Sequence, residues 1–470
     1  MRSPRLASLV LLSLAVVAQL AAAERPNVLF IVADDQNCAL GCYGNSTIKT
    51  PNLDRLASLG VRFDRAYCNY PVCNASRASF LSGRRPDTTG VFGNATNPRT
   101  KLGDEFQFLP EYFKSHGYFT AGIGKISHPA FADQIVWDVQ SDPQVDRQEE
   151  IVKLAKKERK RQNKNGPVDQ TVPVPFEWHA TDYDDSEEPD GITARKVAQL
   201  LEEHRDGPFF VAAGFHKPHL SHTAPKKYFA MYPPDRMPLP AAPAGHEKQI
   251  PAIATPPKYY PELTDEQRRH IIAHYYAAST FMDAQVGVLL EALDRLKLWD
   301  NTIVVFIGDH GWHLGEHGGF WAKQSLMKES ARSPLIVVAP GKARGAACAR
   351  VVEYIDLFPT LAEFCGLPPQ PGLEGNSILP LVADPQHSWS PAVYSVVTRP
   401  AGGKRKAILG RGVYSERWTY IAWPDGSEQL YDYAADPHEY HNLAGGSEYA
   451  SVKAEMRALL EQAPHSTTLE

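Results

Sequence analysis

The sequence predicts an α/β fold in which helices flank a mixed, mostly parallel sheet and a smaller antiparallel-sheet subdomain follows at the C-terminal end. Two apolar runs, at residues 27–33 and 302–307, are rich in β-branched side chains. Runs of this kind are typical of strands that are buried on both faces of a parallel sheet. Beyond about residue 380 the chain changes to short strand candidates separated by turn residues, which indicates an antiparallel sheet.

The first 23 residues have the three-part pattern of a signal peptide. A basic start is followed by an apolar run over residues 6–20 and by three alanines at 21–23, which place the cleavage site after Ala23. The alternative is an uncleaved membrane anchor, although the run is short for a bilayer span. No later apolar stretch is long enough to cross a bilayer. We therefore expect a secreted or periplasmic protein whose mature chain has no integral membrane segment.

The mature chain is expected to form a main domain over residues 24–380 and a C-terminal α+β subdomain over residues 381–470. Residues 264–267, Thr-Asp-Glu-Gln, are a capping box that opens a helix with apolar positions at helical spacing up to about residue 299. This helix ends just before the second apolar run, which is a helix–strand alternation typical of α/β domains. The C-terminal strand candidates lie at residues 393–397, 407–414, 418–423 and 429–432.

Two other segments between the strands have an unusual composition. Residues 232–261 are too rich in proline for regular structure, and they either shape the entry to a site or serve as a passive connector. The basic run at residues 150–164 could in principle bind nucleic acid, but a solvated helix face is favoured in an exported chain with a net charge of −5. We therefore expect no nucleic-acid partner.

The chain has six cysteines, at positions 38, 42, 68, 73, 348 and 365. Six cysteines in an exported protein could form three disulfides, but a protein of 470 residues with 43% hydrophobic content does not need them for stability. Cys38 and Cys42 are close enough in sequence to pair. The spacing alone does not decide between paired and free thiols.

Acidic residues follow both predicted core strands. Asp34 and Asp35 come after the first strand, and Asp309 and His310 come after the second. Functional groups gather at the carboxyl ends of parallel strands, so these side chains should meet at one edge of the sheet. Three converging carboxylates would repel one another without a cation, and oxygen ligands favour calcium or magnesium over zinc. The alternative for any single aspartate is a turn or a helix cap.

The histidines near this second strand suggest zinc at first sight. His313 and His317 are four residues apart, but the order of residues between them is not the HExxH order of zinc hydrolases. Glycines at 311, 315, 318 and 319 favour a loop rather than the helix that such a motif needs. These two histidines are therefore expected to be exposed or supporting residues.

Cys73 and Arg77 define a second group of candidate residues. In a helix that begins near Cys73, Arg77 lies on the same face, and a helix N-terminus beside an arginine can bind an anion. Hydrolysis of very inert esters needs about 8–23 kcal/mol of barrier reduction, whereas one charge-assisted contact supplies only about 1.5–3 kcal/mol. A metal and several cationic groups are therefore expected together. The further cationic candidates are Lys125, His128, His216 and Lys323.

The motif Cys73-Asn-Ala-Ser-Arg77, followed by Gly-Arg-Arg at 83–85, resembles the C-x-[P/A]-x-R signature of the type I sulfatases. Other segments match that family in the same order: NVLFIVADDQ at 27–36, GCYGN at 41–45, GKISH at 124–128, HKPH at 216–219, IGDHGWHLGEHG at 307–318 and WAK at 321–323. The HKPH and DHGWHLGEHG segments resemble the iduronate-2-sulfatase branch in particular. The resemblance covers nearly all of the mature chain.

The resemblance implies an alkaline-phosphatase-like fold whose main domain is a catalytic sulfatase domain. It also implies that a formylglycine-generating maturation enzyme oxidises Cys73 to formylglycine. The hydrated aldehyde attacks sulfur and displaces the alcohol, and its second hydroxyl then allows sulfate to be expelled. A Ca²⁺ ion, for which Mg²⁺ could substitute, polarises the sulfate and the nucleophile.

The same resemblance implies a role for each candidate residue. Arg77 and His128 hold and assist the formylglycine, and either His216 or Lys323 protonates the leaving oxygen. The implied metal ligands are Asp34, Asp35, Asp309, His310 and the modified Cys73. The implied sulfate-binding residues are Lys125, His216 and Lys323. The segment from Asp309 to Lys323 is one residue longer than is usual in the family.

The sequence is compatible with three functions. The favoured one is a sulfatase that acts on a sulfated carbohydrate such as a glycosaminoglycan-derived saccharide, with 2-O-sulfated uronate as the subfamily expectation. The second is a phosphodiesterase or phosphonate monoester hydrolase of the same superfamily. The third, ranked low, is a non-catalytic carbohydrate-binding relative, which should have lost site residues that this chain retains.

Overall fold

The computed structural model describes residues 25–146, 176–400 and 407–463. The predicted signal peptide, residues 1–23, and the basic run at residues 150–164 lie outside the described residues. Within the three described ranges, no helix is both long enough and apolar enough to cross a bilayer.

The strands of the described chain form one large sheet and three smaller ones. They are β1 (Asn27–Asp34), β2 (Val61–Tyr67), β3 (Phe119–Gly124), β4 (Val139–Ser141), β5 (Trp178–Thr181), β6 (Phe209–Pro218), β7 (His222–Pro225), β8 (Thr302–Gly308), β9 (His313–Leu314), β10 (Trp321–Ala322), β11 (Leu335–Val338), β12 (Ala346–Glu353), β13 (Val393–Arg399), β14 (Ile408–Tyr414), β15 (Trp418–Ala422) and β16 (Glu428–Asp432).

Helices cover the faces of the sheets and connect their strands. They are α1 (Pro51–Leu59), α2 (Cys73–Ser82), α3 (Pro86–Thr89), α4 (Arg99–Leu102), α5 (Leu109–Ser115), α6 (Pro143–Asp146), α7 (Pro189–Glu203), α8 (Lys226–Phe229), α9 (Asp265–Leu296), α10 (Glu316–Gly319), α11 (Lys328–Ala331), α12 (Leu357–Phe364), α13 (Leu379–Ala383) and α14 (Ala450–Gln462).

The large sheet has eight strands in the order β12-β2-β11-β8-β1-β6-β3-β4. All neighbouring pairs are parallel except those of β11, which runs antiparallel to both β2 and β8. One apolar cluster packs on each face of this sheet, since alternate side chains of β1 belong to different clusters. The mixed, mostly parallel α/β sheet predicted from the sequence is confirmed.

The two predicted core strands are neighbours at the centre of this sheet. β1 and β8 pair in parallel from Asn27↔Thr302 to Ala33↔Gly308, and every residue of both strands is buried. Both strands therefore end at the same edge, with Asp34, Asp35 and Asp309 at their carboxyl ends. This is the strand arrangement that the two apolar runs predict.

The long helix α9 begins at the predicted capping box. The Thr264 hydroxyl accepts from the Gln267 N–H at 3.2 Å, and the Gln267 side chain accepts from the Thr264 N–H at 3.0 Å. The helix contacts α1, α7 and β6 and buries its apolar face against the sheet. It ends at Leu296, a few residues earlier than predicted, and a short 3-10 turn, Trp299–Asn301, leads into β8.

The proline-rich segment at residues 232–261 contains short 3-10 turns rather than α-helices or named strands, as its composition predicts. It contacts the C-terminal part of the chain, because the Arg399 guanidinium donates to the carbonyls of Ile253, Ala254 and Thr255.

The C-terminal strands β13 to β16 form a separate antiparallel sheet in sequential order, which confirms the predicted C-terminal antiparallel sheet. Helix α14 packs Met456 and Leu460 against Val413, Tyr420 and Leu430 of this sheet. The domain boundary at residues 380/381 stays a prediction. All six cysteines are free thiols in the structure.

Candidate active site

The turn after β1 brings two acidic loops face to face. Asp35 has a left-handed backbone, with φ of 65°, a conformation that aspartate tolerates better than most non-glycine residues. Its N–H donates to Asp309 Oδ1 at 2.9 Å. The Asp309 N–H in turn donates to the carbonyl of Ala33 at 3.0 Å. The ends of β1 and β8 are thereby held together, with the carboxylates of both loops on one side.

Helix α2 presents Cys73 to these carboxylates. Cys73 is the first residue of the helix, and every residue of the helix is buried. The Cys73 thiol lies 3.2 Å from Asp34 Oδ1, 3.9 Å from Asp35 Oδ1 and 3.4 Å from His310 Nε2. One ligand atom from each of these four residues lies within 4.8 Å of the other three. The structure therefore gathers four predicted site residues from three distant parts of the chain.

Asp309, the remaining predicted metal ligand, lies beside this four-residue cluster. Its Oδ1 is 3.6 Å from His310 Nε2, while its Oδ2 accepts from Arg77 Nε at 3.0 Å. The Arg77 side chain is fully buried, and its Nη2 lies 3.5 Å from Asp34 Oδ1. Arg77 also donates to the backbone carbonyls of Lys125 and Ile126. The guanidinium thus joins both acidic loops to the end of β3.

Two lysines supply further positive charge. Lys125 forms a short ion pair with Asp34, and its N–H donates to the carbonyl of Gly214 at 2.9 Å. A Cβ at Gly214 would lie 2.3 Å from the backbone of Lys125, so only glycine permits this approach. Lys323 Nζ lies 2.9 Å from Cys73 Sγ and 2.5 Å from Asp35 Oδ1.

Lys323 follows a tight turn that joins two short strands. His317, Gly318 and Gly319 all adopt left-handed backbone conformations, with φ of 51°, 74° and 123°. This tight excursion lies between β9 and β10, which pair with each other as a two-stranded ribbon. This ribbon places Lys323, the residue that follows β10, beside Cys73 and Asp35.

Burial and the nearby cations have opposite effects on the pKa values of Cys73 and Asp34. Burial and the Asp34 carboxylate raise the pKa of Cys73, but Lys323, Lys125 and His219 lower it well below the usual thiol range. Burial also raises the pKa of Asp34, but Lys125 and the other cations lower it well below its usual value. The surrounding cations therefore favour the ionised forms of both Cys73 and Asp34.

The donor groups fit a hard divalent cation. His310 Nδ1 lies 2.9 Å from the carbonyl of Gly311 and donates to it, so Nε2 is the ring nitrogen that faces Cys73 and Asp35. Asp35 Oδ2 is buried and accepts no hydrogen bond. With Asp309 included, three of the five candidate ligands are carboxylates, the ligand type that Ca²⁺ and Mg²⁺ prefer.

The remaining predicted residues, His128 and His216, lie outside this cluster. His128 is half-buried, and burial together with Lys125 lowers its pKa to about 4. His216 Nε2 lies 3.0 Å from both carboxylate oxygens of Asp142, and the backbone N–H of His216 donates to Asp190 Oδ1 at 2.9 Å. The sequence did not distinguish His216 from a neighbouring histidine that lies nearer to the four-residue cluster.

That neighbour, His219, is a site residue that the sequence analysis did not single out. Its Nε2 lies 3.8 Å from Asp35 Oδ2. Burial lowers the pKa of His219, but Asp35, Asp34 and Cys73 raise it above the usual histidine value. The HKPH segment indicates a histidine near the site, and His219 is its second histidine. The sequence does not show which of the two histidines faces the cluster.

Known protein families and solved structures resemble this chain over most of its length. A model of the sulfatase family matches residues 26–367, and a model described as N-sulphoglucosamine sulphohydrolase, C-terminal, matches residues 315–466. A sulfatase of Formosa agariphila is 30% identical over 93% of this chain and 86% of its own. The iduronate 2-sulfatase of Homo sapiens is 31% identical over 90% of this chain and 92% of its own. Among solved structures, a phosphonate monoester hydrolase of Agrobacterium radiobacter aligns with a TM-score of 0.77, at 25% identity, over 93% of this chain and 96% of that one.

Proposed function

Because the chain belongs to the sulfatase family and is a sulfuric ester hydrolase, we propose that it removes sulfate from a sulfated carbohydrate through a formylglycine at position 73. The observation that carries this proposal is the meeting of Asp34, Asp35, Cys73 and His310 within 4.8 Å in a buried, cation-lined site. A calcium ion held by these residues and Asp309 would polarise the sulfate, and the hydrated aldehyde would supply the attacking oxygen.

The residues around Cys73 divide the remaining tasks. Arg77 is locked between Asp34 and Asp309, so it holds the acidic loops at a fixed distance from residue 73. Lys125 and Lys323 approach the cluster from different loops and would bind the oxygens of the sulfate. The developing negative charge is thus met by groups that are already oriented.

We assign the leaving-group proton to His219 rather than His216. His219 lies next to the cluster, and the neighbouring carboxylates raise its pKa and so favour its protonated form. An imidazolium in this place could donate a proton to the departing alcohol. His216, held by Asp142, would then line the sulfate site without donating that proton. Lys323 remains the alternative donor, because its ammonium group lies 2.9 Å from Cys73 Sγ.

The substrate class is proposed from the relatives together with the site. Similarity to iduronate 2-sulfatases over most of the chain favours a 2-O-sulfated uronate in a glycosaminoglycan-derived saccharide. Desulfation of a panel of defined sulfated saccharides would test this. Release from a 2-O-sulfated uronate supports the assignment, and release only from 6-O-sulfated or N-sulfated sugars contradicts it.

Maturation and location form a separate part of the proposal. Every residue of α2 is buried, so a formylglycine-generating enzyme would have to reach Cys73 before the chain folds. Export through the predicted signal peptide at residues 1–23 would place the mature enzyme outside the cell or in the periplasm. We also propose that residues 24–380 form the catalytic domain and residues 381–470 a subdomain.

Replacement of Cys73 tests the catalytic proposal directly. Cys73→Ala is expected to abolish sulfate release from an aryl sulfate while leaving the unfolding temperature close to that of the wild type. Cys68→Ala is the matched control, because Cys68 is equally buried but is not among the residues of the metal-ligand cluster. Full turnover by Cys73→Ala, or equal losses in both variants, would contradict the assignment.

A second candidate function is hydrolysis of phosphate diesters or phosphonate monoesters. The structural similarity to a phosphonate monoester hydrolase over nearly the whole chain favours it. Rates on an aryl sulfate and on an aryl phosphate diester separate the two functions. A large preference for the phosphorus ester would make this candidate the better one.

A further inference from the structure

Tyr275 in helix α9 supports the turn that carries Asp35. Its side chain is fully buried, and its hydroxyl donates to the backbone carbonyl of Asp35 at 2.8 Å. The same hydroxyl accepts from the Asn37 N–H at 2.8 Å. One side-chain oxygen therefore satisfies two backbone groups of the turn in which Asp35 has its left-handed conformation.

The ring of Tyr275 reaches the opposite side of the site through Trp312. The two rings are stacked, with centroids 6.4 Å apart and planes inclined by 13°. Asn37 Nδ2 donates to the Trp312 carbonyl at 2.9 Å, which ties the turn to the same tryptophan. Lys323 Nζ lies 5.5 Å from the centre of the Trp312 ring, within the range of a cation–π contact.

We propose that Tyr275 is a positioning residue for both sides of the active site. Its hydroxyl holds Asp35 in the backbone conformation that directs the carboxylate towards residue 73, and its ring supports Trp312 beneath Lys323. The inference rests on the proposed function, because it assigns to Tyr275 the task of keeping Asp35 ready to bind calcium. Residues that orient metal ligands in this way affect metal affinity without touching the ion.

The variant Tyr275→Phe removes only the hydroxyl and keeps the ring over Trp312. Tyr232→Phe is the matched control, because the Tyr232 hydroxyl is also buried, accepts from the Lys49 N–H at 2.8 Å and pairs with Thr280 rather than with a site residue. Calcium affinity is measured on the full-length protein by calorimetric titration with calcium chloride after chelator treatment. Thermal unfolding of both variants is measured in parallel.

Tyr275→Phe is expected to weaken calcium binding by about 10–100-fold, whereas Tyr232→Phe stays within about twofold of the wild type. Aryl-sulfate turnover of Tyr275→Phe at limiting calcium should fall and should recover when calcium is raised to saturation. Equal calcium affinities in the two variants would overturn the inference and leave the proposed function standing. A wild-type protein that binds no calcium would overturn the proposed function itself and the inference with it.

The contact with Lys323 is tested by a second variant, which also serves if Tyr275→Phe does not fold. Trp312→Phe keeps an aromatic ring next to Tyr275 but reduces the π face under Lys323. We expect it to raise the KM for the aryl sulfate several-fold with calcium affinity unchanged. An unchanged KM would overturn the part of the inference that concerns Lys323.

Discussion

Removal of the buried Arg77 charge should be among the most destabilising single changes at this site. The guanidinium is fully buried, donates from Nε to Asp309 at 3.0 Å and lies 3.5 Å from Asp34. It also donates to the carbonyls of Lys125 and Ile126. Breaking a buried ion pair by removing one partner costs about 3–5 kcal/mol of stability. Arg77→Met is therefore expected to lower the free energy of unfolding by this amount. Arg77→Lys keeps the positive charge but loses the planar guanidinium that donates to several partners at once. We therefore expect it to lower the free energy of unfolding by about 1–3 kcal/mol.

The free energy of unfolding is measured by urea titration with tryptophan fluorescence, in the presence of a chelator so that bound metal does not contribute. Arg99→Met is the control, because Arg99 is also buried and pairs with Glu111 at 2.6 Å, with partners other than the cluster residues. Both methionine variants should lose stability, but only Arg77→Met should also lose aryl-sulfate turnover. A loss below about 1 kcal/mol for Arg77→Met would refute the reasoning from buried charge.

Three further predictions concern other parts of the molecule. Thr264→Ala removes the cap of α9 and should cost about 1 kcal/mol of unfolding free energy, and an unchanged urea midpoint would contradict this. Burial lowers the pKa of His317, but Glu329 at 3.0 Å raises it above the usual histidine value. The pair therefore stabilises the fold below neutral pH, and this stabilisation is lost as the pH rises through the raised pKa of His317. His317→Gln should therefore flatten the decline of thermal stability above neutral pH, and an equal decline in both proteins would count against the pair. His219→Gln should lower kcat by about 10²–10⁴-fold and His216→Gln by clearly less, and the reverse order would move the proton donor to His216.

The strands that carry the site were predictable because their pattern is local. Buried parallel strands need uninterrupted apolar residues, and the runs at 27–33 and 302–307 each end in acidic residues. The capping box before α9 was also predictable from the sequence, because its two hydrogen bonds join residues only three positions apart. In both cases the residues that determine the structure are neighbours in sequence.

Other features depend on contacts between distant residues and could not be read from the sequence. Nothing in residues 335–338 shows that β11 runs antiparallel within a parallel sheet, because strand direction is set by packing against β2 and β8. The orientations of His216 and His219 are likewise set by Asp142 and Asp35, which lie far away in the chain. The role of Tyr275 is visible only once α9 is packed beneath the turn after β1.

The proposed formylglycine is tested by the chemical state of residue 73 in active enzyme. Mass spectrometry of the tryptic peptide that spans residues 66–77 should show an aldehyde, in which one oxygen replaces the sulfur and two hydrogens of the Cys73 side chain. The fraction of aldehyde should rise and fall with the rate of sulfate release across separate preparations. Full activity in a preparation whose Cys73 is entirely an unmodified thiol would contradict a formylglycine nucleophile.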